Sequence, residues 1–268
     1  MRRKYVFFDI DHTLVSHAGQ SHVPPETRKA LRLLRENGHV PAIATGRSVF
    51  LTRSVAKELG IDLLVCTGGA HILNGAETLH EAWLSTGALE ALRSTARRWP
   101  QITAAMDDHL IYTDNDNPDW REYFASQAGY PCVRPLSEMR RALSFYLMAR
   151  PPLAGDYGLF TTPLPGVLVE PMQDFVEARV DGVSKWSGIR CAMGSLGADT
   201  ADAIPFGDGL NDVEMLRCAG TSVAVGGACP EAKAAASFIA GDIDEGGILD
   251  ACVELGLIPQ GEAGSDGP

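Results

Sequence analysis

The sequence predicts an α/β fold: a doubly wound parallel sheet carrying a second, inserted α/β domain. Short apolar runs alternate with amphipathic helical stretches through roughly the first 65 residues, the pattern of strand–helix–strand units joined by right-handed crossovers. The same alternation returns beyond residue 180, and the segment between mixes helical and strand-like stretches without that rhythm. The chain therefore reads as a core of residues 1–80 and 181–260, an inserted α/β domain of residues 81–180, and a disordered polar tail at 261–268.

Each element has its own signal. Tyr5 to Ile10 is a short aromatic and β-branched run suited to a buried strand. Pro24 and Pro25 open a helix whose apolar positions Ala30, Leu31, Leu33 and Leu34 share a face, and Gly38 closes it. Val40 to Ala44 is a second strand, Ser48 caps the helix that follows, and Leu63 to Cys66 is a third strand. In the inserted segment, Leu89, Leu92, Ala96 and Trp99 mark one helix, and Trp120, Phe124 and Ala128 mark another. Leu110–Tyr112, Leu143–Met148, Val167–Val169 and Phe175–Ala178 have strand character, with Pro151-Pro152 and Pro163 as punctuation. The core resumes with a helix over Val183–Gly197, a strand over Ala203–Phe206 and a helix over Asp212–Ala219. A strand over Ser222–Val225, a small helix starting at Pro230 and a short strand over Phe238–Ala240 complete it.

Composition excludes several classes. The 268 residues carry 23 Lys and Arg against 34 Asp and Glu, a formal charge of −11 that disfavours nucleic acid and anionic membrane as partners. An acidic chain still binds an anion where its cations are local or a metal supplies positive charge. The six cysteines are scattered, with no CxxC or Cys/His cluster, so neither structural zinc nor a disulfide framework is indicated, and several read as reduced core thiols. Asp9 and Asp11 interrupt the only apolar run near the basic N-terminus, which argues against a signal peptide and for a cytoplasmic protein.

Four short segments carry chemistry. Asp9-Ile10-Asp11-His12-Thr13 directly follows the first strand, and ligands of parallel α/β sheets bind outside the carboxyl ends of the strands. Two carboxylates there suit a hard cation such as Mg²⁺, and equally a polar turn or helix cap. Thr45-Gly46-Arg47-Ser48 at the end of the second strand can cradle an anion at a helix start, but taken alone it reads better as an ordinary strand-to-helix turn capped by Ser48. Gly207-Asp208-Gly209-Leu210-Asn211-Asp212 brings two acids and an amide to the same sheet edge, a density that favours function over a capping loop. Lys185 alone reads as a solvated lysine.

Taken in order, Asp-x-Asp-x-Thr, Thr-Gly-Arg, an isolated Lys and Gly-Asp-Gly-x-Asn-Asp, the set resembles the haloacid dehalogenase superfamily and, within it, the Cof-like sugar-phosphate phosphatases. The resemblance covers residues 1–80 and 180–255; the inserted segment is similar to that family's α/β cap in position and size. It implies a Rossmann-like core and hydrolysis of small phosphomonoesters, sugar phosphates foremost, through an aspartyl-phosphate. By the same resemblance Asp9 is the nucleophile and Asp11 the general acid and base. Mg²⁺ is held by the Asp9 carboxylate, the Asp11 backbone carbonyl and the Asp208 carboxylate. Thr45, the Gly46 backbone, Lys185 and Asn211 hold the phosphoryl oxygens, and Asp212 supports the metal site. The implied partner is a small phosphorylated metabolite, with the chain a monomer or homodimer. A phosphosugar mutase of the phosphomannomutase type shares the core, and a catalytically silent phosphometabolite-binding module is the reading from another class. His12 stands where the family often has glycine, a departure of little expected consequence. Thr67-Gly68-Gly69-Ala70 replaces the usual Asn-Gly-Ala, and Trp186 beside Lys185 is expected to pack in the core.

Overall fold

Val6, Phe7 and Phe8 are wholly shielded from solvent, which fixes the first strand in the middle of the sheet. The computed structural model describes residues 2–98, 104–106, 111–112, 133–148, 164–171 and 175–263. In chain order the core opens with β1 (Tyr5–Phe8), α1 (Pro25–Glu36), β2 (Val40–Ala44), α2 (Val49–Leu59), β3 (Leu63–Cys66), β4 (His71–Asn74) and β5 (Glu77–Glu81). There follow α3 (Thr86–Arg98), β6 (Ala104–Met106), β7 (Ile111–Tyr112), β8 (Val133–Arg134), β9 (Ser144–Met148), β10 (Val167–Pro171) and β11 (Phe175–Val180). The chain ends with α4 (Lys185–Ser195), β12 (Ala203–Gly207), α5 (Val213–Cys218), β13 (Val223–Ala224), α6 (Pro230–Ala235), β14 (Phe238–Ile239), α7 (Gly247–Glu254) and α8 (Gln260–Ala263).

Two compact units result: Met1–Gly46, Arg53–His80 and Ser184–Pro268 form the core unit, and Arg47–Thr52 with Glu81–Val183 form the second. Among the described residues the core sheet has eight strands in the order β14-β13-β12-β1-β2-β3-β4-β5. The run from β14 to β3 is parallel, and β4 turns back antiparallel on β3. Strand order therefore reverses between β1 and β12, which pair in register from Tyr5↔Ala203 to Phe8↔Phe206. The rings of Phe8 and Phe206 meet at 4.8 Å between centroids and close the layer beneath that reversal. Helix α1 buries Ala30, Leu31, Leu33 and Leu34 and packs on α7, with Gly38 at φ 80° ending it as the sequence predicts.

The second unit holds a six-stranded sheet among its described residues, β10-β11-β9-β6-β7-β8, antiparallel except between β7 and β8. Its core is Leu84, Leu89, Leu92, Tyr112, Met139, Ala142, Phe145 and Ala178. A buried Arg179–Glu177 pair at 3.1 Å adds a polar contact, and Arg179 Nε donates to the Val183 carbonyl at 2.9 Å.

Several details differ from the sequence reading. The β4–β5 hairpin and α7 are additional elements; Gly75 at φ 61° makes the hairpin's turn. Residues 261–263 belong to α8 rather than to a structureless tail, because the Glu262 carboxylate accepts from Asn37 Nδ2 at 2.9 Å and ties the segment to the core. Cys66 and Cys252 are buried, and burial pushes the Cys252 thiol up to about 12, whereas Cys218 is exposed. Trp99, the Trp120–Ala128 helix, Leu110, Asp107-Asp108-His109 (which the sequence reads as a solvated hairpin turn), Cys132, Pro151-Pro152, Pro163 and residues 264–268 lie outside the described residues. No helix among the described residues is long and apolar enough to cross a membrane.

Candidate active site

The reversal of strand order places the ends of β1 and β12 side by side, and each strand is followed at once by an aspartate, Asp9 and Asp208. The Asp9 amide donates to the Phe206 carbonyl at 3.0 Å, so the sheet ladder itself carries Asp9 to the edge. After Asp9 the chain turns sharply: Val15 N–H bonds the Ile10 carbonyl at 2.8 Å and His12 N–H bonds the Val15 carbonyl at 2.9 Å. His12 sits at φ 58°, in the left-handed region. That explains why glycine suits this position, and it makes the histidine a strained choice costing about 1 kcal/mol, more than the sequence reading allowed.

Lys185 is the centre of the arrangement rather than a solvated lysine. Its side chain is 2% exposed, and Nζ lies 2.8 Å from Asp9 Oδ1 and 2.6 Å from Asp212 Oδ1. It stands at the first turn of α4, whose start is fixed by a reciprocal cap: Ser184 Oγ accepts from the Ser187 amide at 3.1 Å, and Ser187 Oγ accepts from the Ser184 amide at 2.8 Å. Two glycines let the loop after β3 press against that start. A Cβ on Gly69, at φ 103°, would fall 2.0 Å from the Ser184 carbonyl oxygen, and one on Gly188 would fall 2.7 Å from Gly69 Cα. Gly69 thus serves a close approach of backbone to backbone, while the place of the missing Asn has no structural explanation. Trp186 is half-buried.

Asp212 is wholly buried, and its carboxylate is committed to the protein. Oδ1 takes Lys185, while Oδ2 accepts from the Asp208 and Gly209 amides at 3.0 and 2.9 Å. It locks the loop that presents Asp208. Gly207 must lack a side chain for this, because a Cβ there would lie 2.6 Å from Asp212 Cγ. Thr13, the last residue of the Asp-x-Asp-x-Thr motif and given no role of its own from the sequence, is buried and donates from Oγ1 to Asp208 Oδ1 at 2.8 Å.

Electrostatics at this edge favour a cation. Carboxylate oxygens of Asp9, Asp208 and Asp212 all lie within 4.8 Å of one another. Burial pushes the Asp9 carboxyl up to about 7, with Asp212 and Asp208 adding to the rise and Lys185 opposing it. Burial also raises Asp208, against the Thr13 hydrogen bond. For Lys185, burial works to lower the ammonium, but Asp212 and Asp9 overcome it and leave it raised, firmly charged. One ammonium among three carboxylates leaves negative charge uncompensated, and such oxygens suit a hard divalent ion. Since Asp212 is taken up by protein donors, Asp9 and Asp208 are the carboxylates the geometry leaves for an ion.

The remaining residues spread around this centre. Thr45 is buried at the end of β2, its amide on the Val65 carbonyl at 2.8 Å and its own carbonyl accepting from Gly68 N–H at 3.0 Å. Gly46 follows it, and a Cβ there would stand 3.8 Å from Asn211 Nδ2, so these two border one space. Asp11 is partly exposed, and its carboxylate is outside the Asp9–Asp208–Asp212 group; Oδ1 lies 3.0 Å from His17 Nε2, a partner with no signal in the sequence beyond a lone histidine.

Comparison with known proteins follows the same lines. Residues 6–133 and 166–252 match the family described as haloacid dehalogenase-like hydrolase. The Bacillus subtilis protein YkrA, provisionally named a phosphatase, is 32% identical over 261 residues, covering 96% of this chain and 100% of its own length. The crystal structure of a hypothetical protein from Geobacillus kaustophilus superposes with a TM-score of 0.83 at 33% identity, covering 96% of this chain and 100% of that one. The structure of BT4131, described as a sugar phosphatase of haloacid dehalogenase subclass IIB, superposes with a TM-score of 0.82 at 25% identity, over 95% of this chain and 100% of its own.

Proposed function

The chain belongs to the haloacid dehalogenase-like hydrolases, and from that membership we propose that it is a Mg²⁺-dependent phosphatase of small phosphomonoesters, with sugar phosphates the leading class, acting through an aspartyl-phosphate on Asp9. The observation that carries this reading is the Asp9 carboxylate at the β1 edge, 2.8 Å from the buried ammonium of Lys185 and grouped with Asp208 across the strand reversal. The sugar-phosphate class is supported by the likeness to BT4131.

Each step falls to a named group. An Asp9 carboxylate oxygen attacks phosphorus as the ester P–O bond breaks, and the Asp11 carboxyl gives its proton to the departing oxygen. In the second half Asp11, now a carboxylate, takes a proton from water while the water oxygen attacks phosphorus and the P–O bond to Asp9 breaks. A carboxylate does not approach a dianionic phosphate unaided, and Lys185 offsets that repulsion from 2.8 Å. Thr45, the Gly46 backbone and Asn211 would hold phosphoryl oxygens, and Asp212 keeps Lys185 and the Asp208 loop in position. The Asp9 and Asp208 carboxylates with the Asp11 backbone carbonyl would hold Mg²⁺, which when bound supplies charge neutralisation for the incoming dianion.

Phosphate release from a panel of sugar phosphates and p-nitrophenyl phosphate, in Mg²⁺ and in EDTA, tests the reading. We expect release only with metal, and Asp9→Asn to lower kcat by more than about 10³-fold in a folded protein. Near-normal turnover in Asp9→Asn would sink the nucleophile assignment.

A further inference from the structure

We propose that His17 is a positioning residue for Asp11, its imidazole holding the Asp11 carboxylate in one orientation for proton transfer, with Ser21 fixing the ring in turn. The inference rests on the reading of Asp11 as the proton donor.

The chain after Asp11 forms a closed hairpin. Ser16 and His22 exchange both backbone hydrogen bonds, at 2.8 and 3.1 Å, and Ser16 Oγ donates to Asp244 Oδ2 at 2.7 Å. His17 and Ser21 are thereby the first and last residues of the tip, and His17 Nδ1 lies 2.9 Å from Ser21 Oγ across it. The ring also rests against His12, whose ring centroid is 4.7 Å away. With its orientation set by these two contacts, the imidazole presents Nε2 to Asp11 Oδ1 at 3.0 Å. The Asp11 side chain is 40% exposed, and the ring meets its carboxylate from a fixed place on the turn.

Donor and acceptor chemistry suits both halves of the reaction. An ionised Asp11 only accepts, which puts the ring hydrogen on Nε2 and lets Nδ1 accept from the Ser21 hydroxyl. A protonated Asp11 can donate to Nε2, and Nδ1 then donates to the same hydroxyl, which is donor and acceptor alike. The contact survives either state of Asp11, as a lysine at this place could not allow. His17 also lines, with His12, Asp208 and Gly209, a cavity of about 440 Å³ within the core unit, so the ring stands beside the reacting edge rather than on a remote surface.

A proton donor matters most when the leaving oxygen departs poorly without one, and this distinguishes positioning from mere support of the hairpin. The experiment measures kcat in Mg²⁺ on an alkyl phosphomonoester and on p-nitrophenyl phosphate for the full-length wild type, Asp11→Asn, His17→Ala, His17→Gln and Ser21→Ala. His17→Ala is expected to lose about tenfold on the alkyl ester and several-fold less on the aryl ester, and Asp11→Asn to show the same bias at about 10²-fold. His17→Gln, which keeps an N–H near the Nε2 position, should recover most of the loss, and Ser21→Ala should show a smaller bias of the same sign. Equal losses on both esters in His17→Ala, with Asp11→Asn still biased, overturn the proposal. No bias in Asp11→Asn overturns instead the assignment of Asp11 as proton donor. If His17→Ala does not fold, the Ser21→Ala ratio decides, and an unchanged ratio there overturns the proposal.

Discussion

At the N-terminal end of β1, Lys4 Nζ lies 2.8 Å from Asp202 Oδ1, and at its C-terminal end Lys185 Nζ lies 2.8 Å from Asp9 Oδ1. The same pair of groups at the same distance does different things at the two ends. Lys4 and Arg2 face Asp202 and Asp199, two cations against two carboxylates, with the Arg2 side chain 64% exposed. Lys185 faces Asp9, Asp212 and Asp208, one cation against three carboxylates, and is 2% exposed. The balanced cluster, with Asp202 buried but Arg2 and Asp199 open to water, ties the start of β1 to the turn before β12. The unbalanced, dry one carries negative charge that Lys185 alone does not offset. Distance does not separate a fastening from a reactive site here; charge balance and burial do.

The comparison breaks most directly at Lys185. Lys185→Met leaves buried carboxylates without their cation, and removing one member of such a set costs about 3–5 kcal/mol. We expect a large drop in melting temperature in EDTA, partly recovered by Mg²⁺, with activity lost in both. A drop of equal size with and without Mg²⁺ would mean that the three carboxylates do not form a cation site. The next largest effect is expected from Gly188→Ala, whose Cβ would lie 2.6 Å from Val65 Cγ1 and 2.7 Å from Gly69 Cα. Forcing those apart costs about 1–3 kcal/mol and moves Lys185 as well, so chemical denaturation and kcat should fall together.

The two ends should also answer acid with opposite signs. Asp9 is raised in the folded state to about 7 from 3.8, so its ionisation opposes the metal-free fold above pH 7 and ceases to do so as the pH falls toward 4. Metal-free wild type should therefore gain stability relative to Asp9→Asn between pH 7 and pH 4, and Mg²⁺ affinity by calorimetry should rise with pH through the same window. Asp202 is held below its ordinary value by the Lys4 hydrogen bond, so its contribution is present at neutral pH and disappears as the pH drops below about 4. The smallest effect expected is that of Asp202→Asn, a minor fall in melting temperature at pH 7 that vanishes in acid, with kcat unchanged. A loss of kcat in that variant would mean the two ends are coupled through β1.

Much of this is legible in the sequence alone. The strands β1, β2, β3 and β12 announce themselves as apolar runs, and the residues after β1 and β12 are conspicuous because a buried strand ending in Asp is hard to explain by packing alone. What was not legible depends on long-range geometry. Nothing local marks Lys185 as buried; its environment comes from Asp9, far back in the chain, and from Asp212, beyond the next strand. Asp212 reads as a supporting acid near the metal, and only the fold shows its oxygens spent on Lys185 and on two backbone amides. His17 is one of seven histidines, and its contact with Asp11 exists because a hairpin closes between Ser16 and His22. The β4–β5 hairpin was readable from Asn74-Gly75, a turn signal masked by the change of texture that follows it.

The placement of β1 between β2 and β12 also sets a timetable. Until Ala203–Gly207 has left the ribosome, the flank of β1 destined for β12 has no partner, while Val6, Phe7 and Phe8 already need cover. At about 5–20 residues per second the nascent chain spends some 10–40 s in that condition, long enough for the open edge to recruit a wrong strand. The segment synthesised in that interval holds the whole second unit, with a sheet and an apolar core of its own. A circular permutant that begins just before β12 would deliver β12 before β1 and shorten that exposure, at the expense of the Asp199–Asp202 turn it opens.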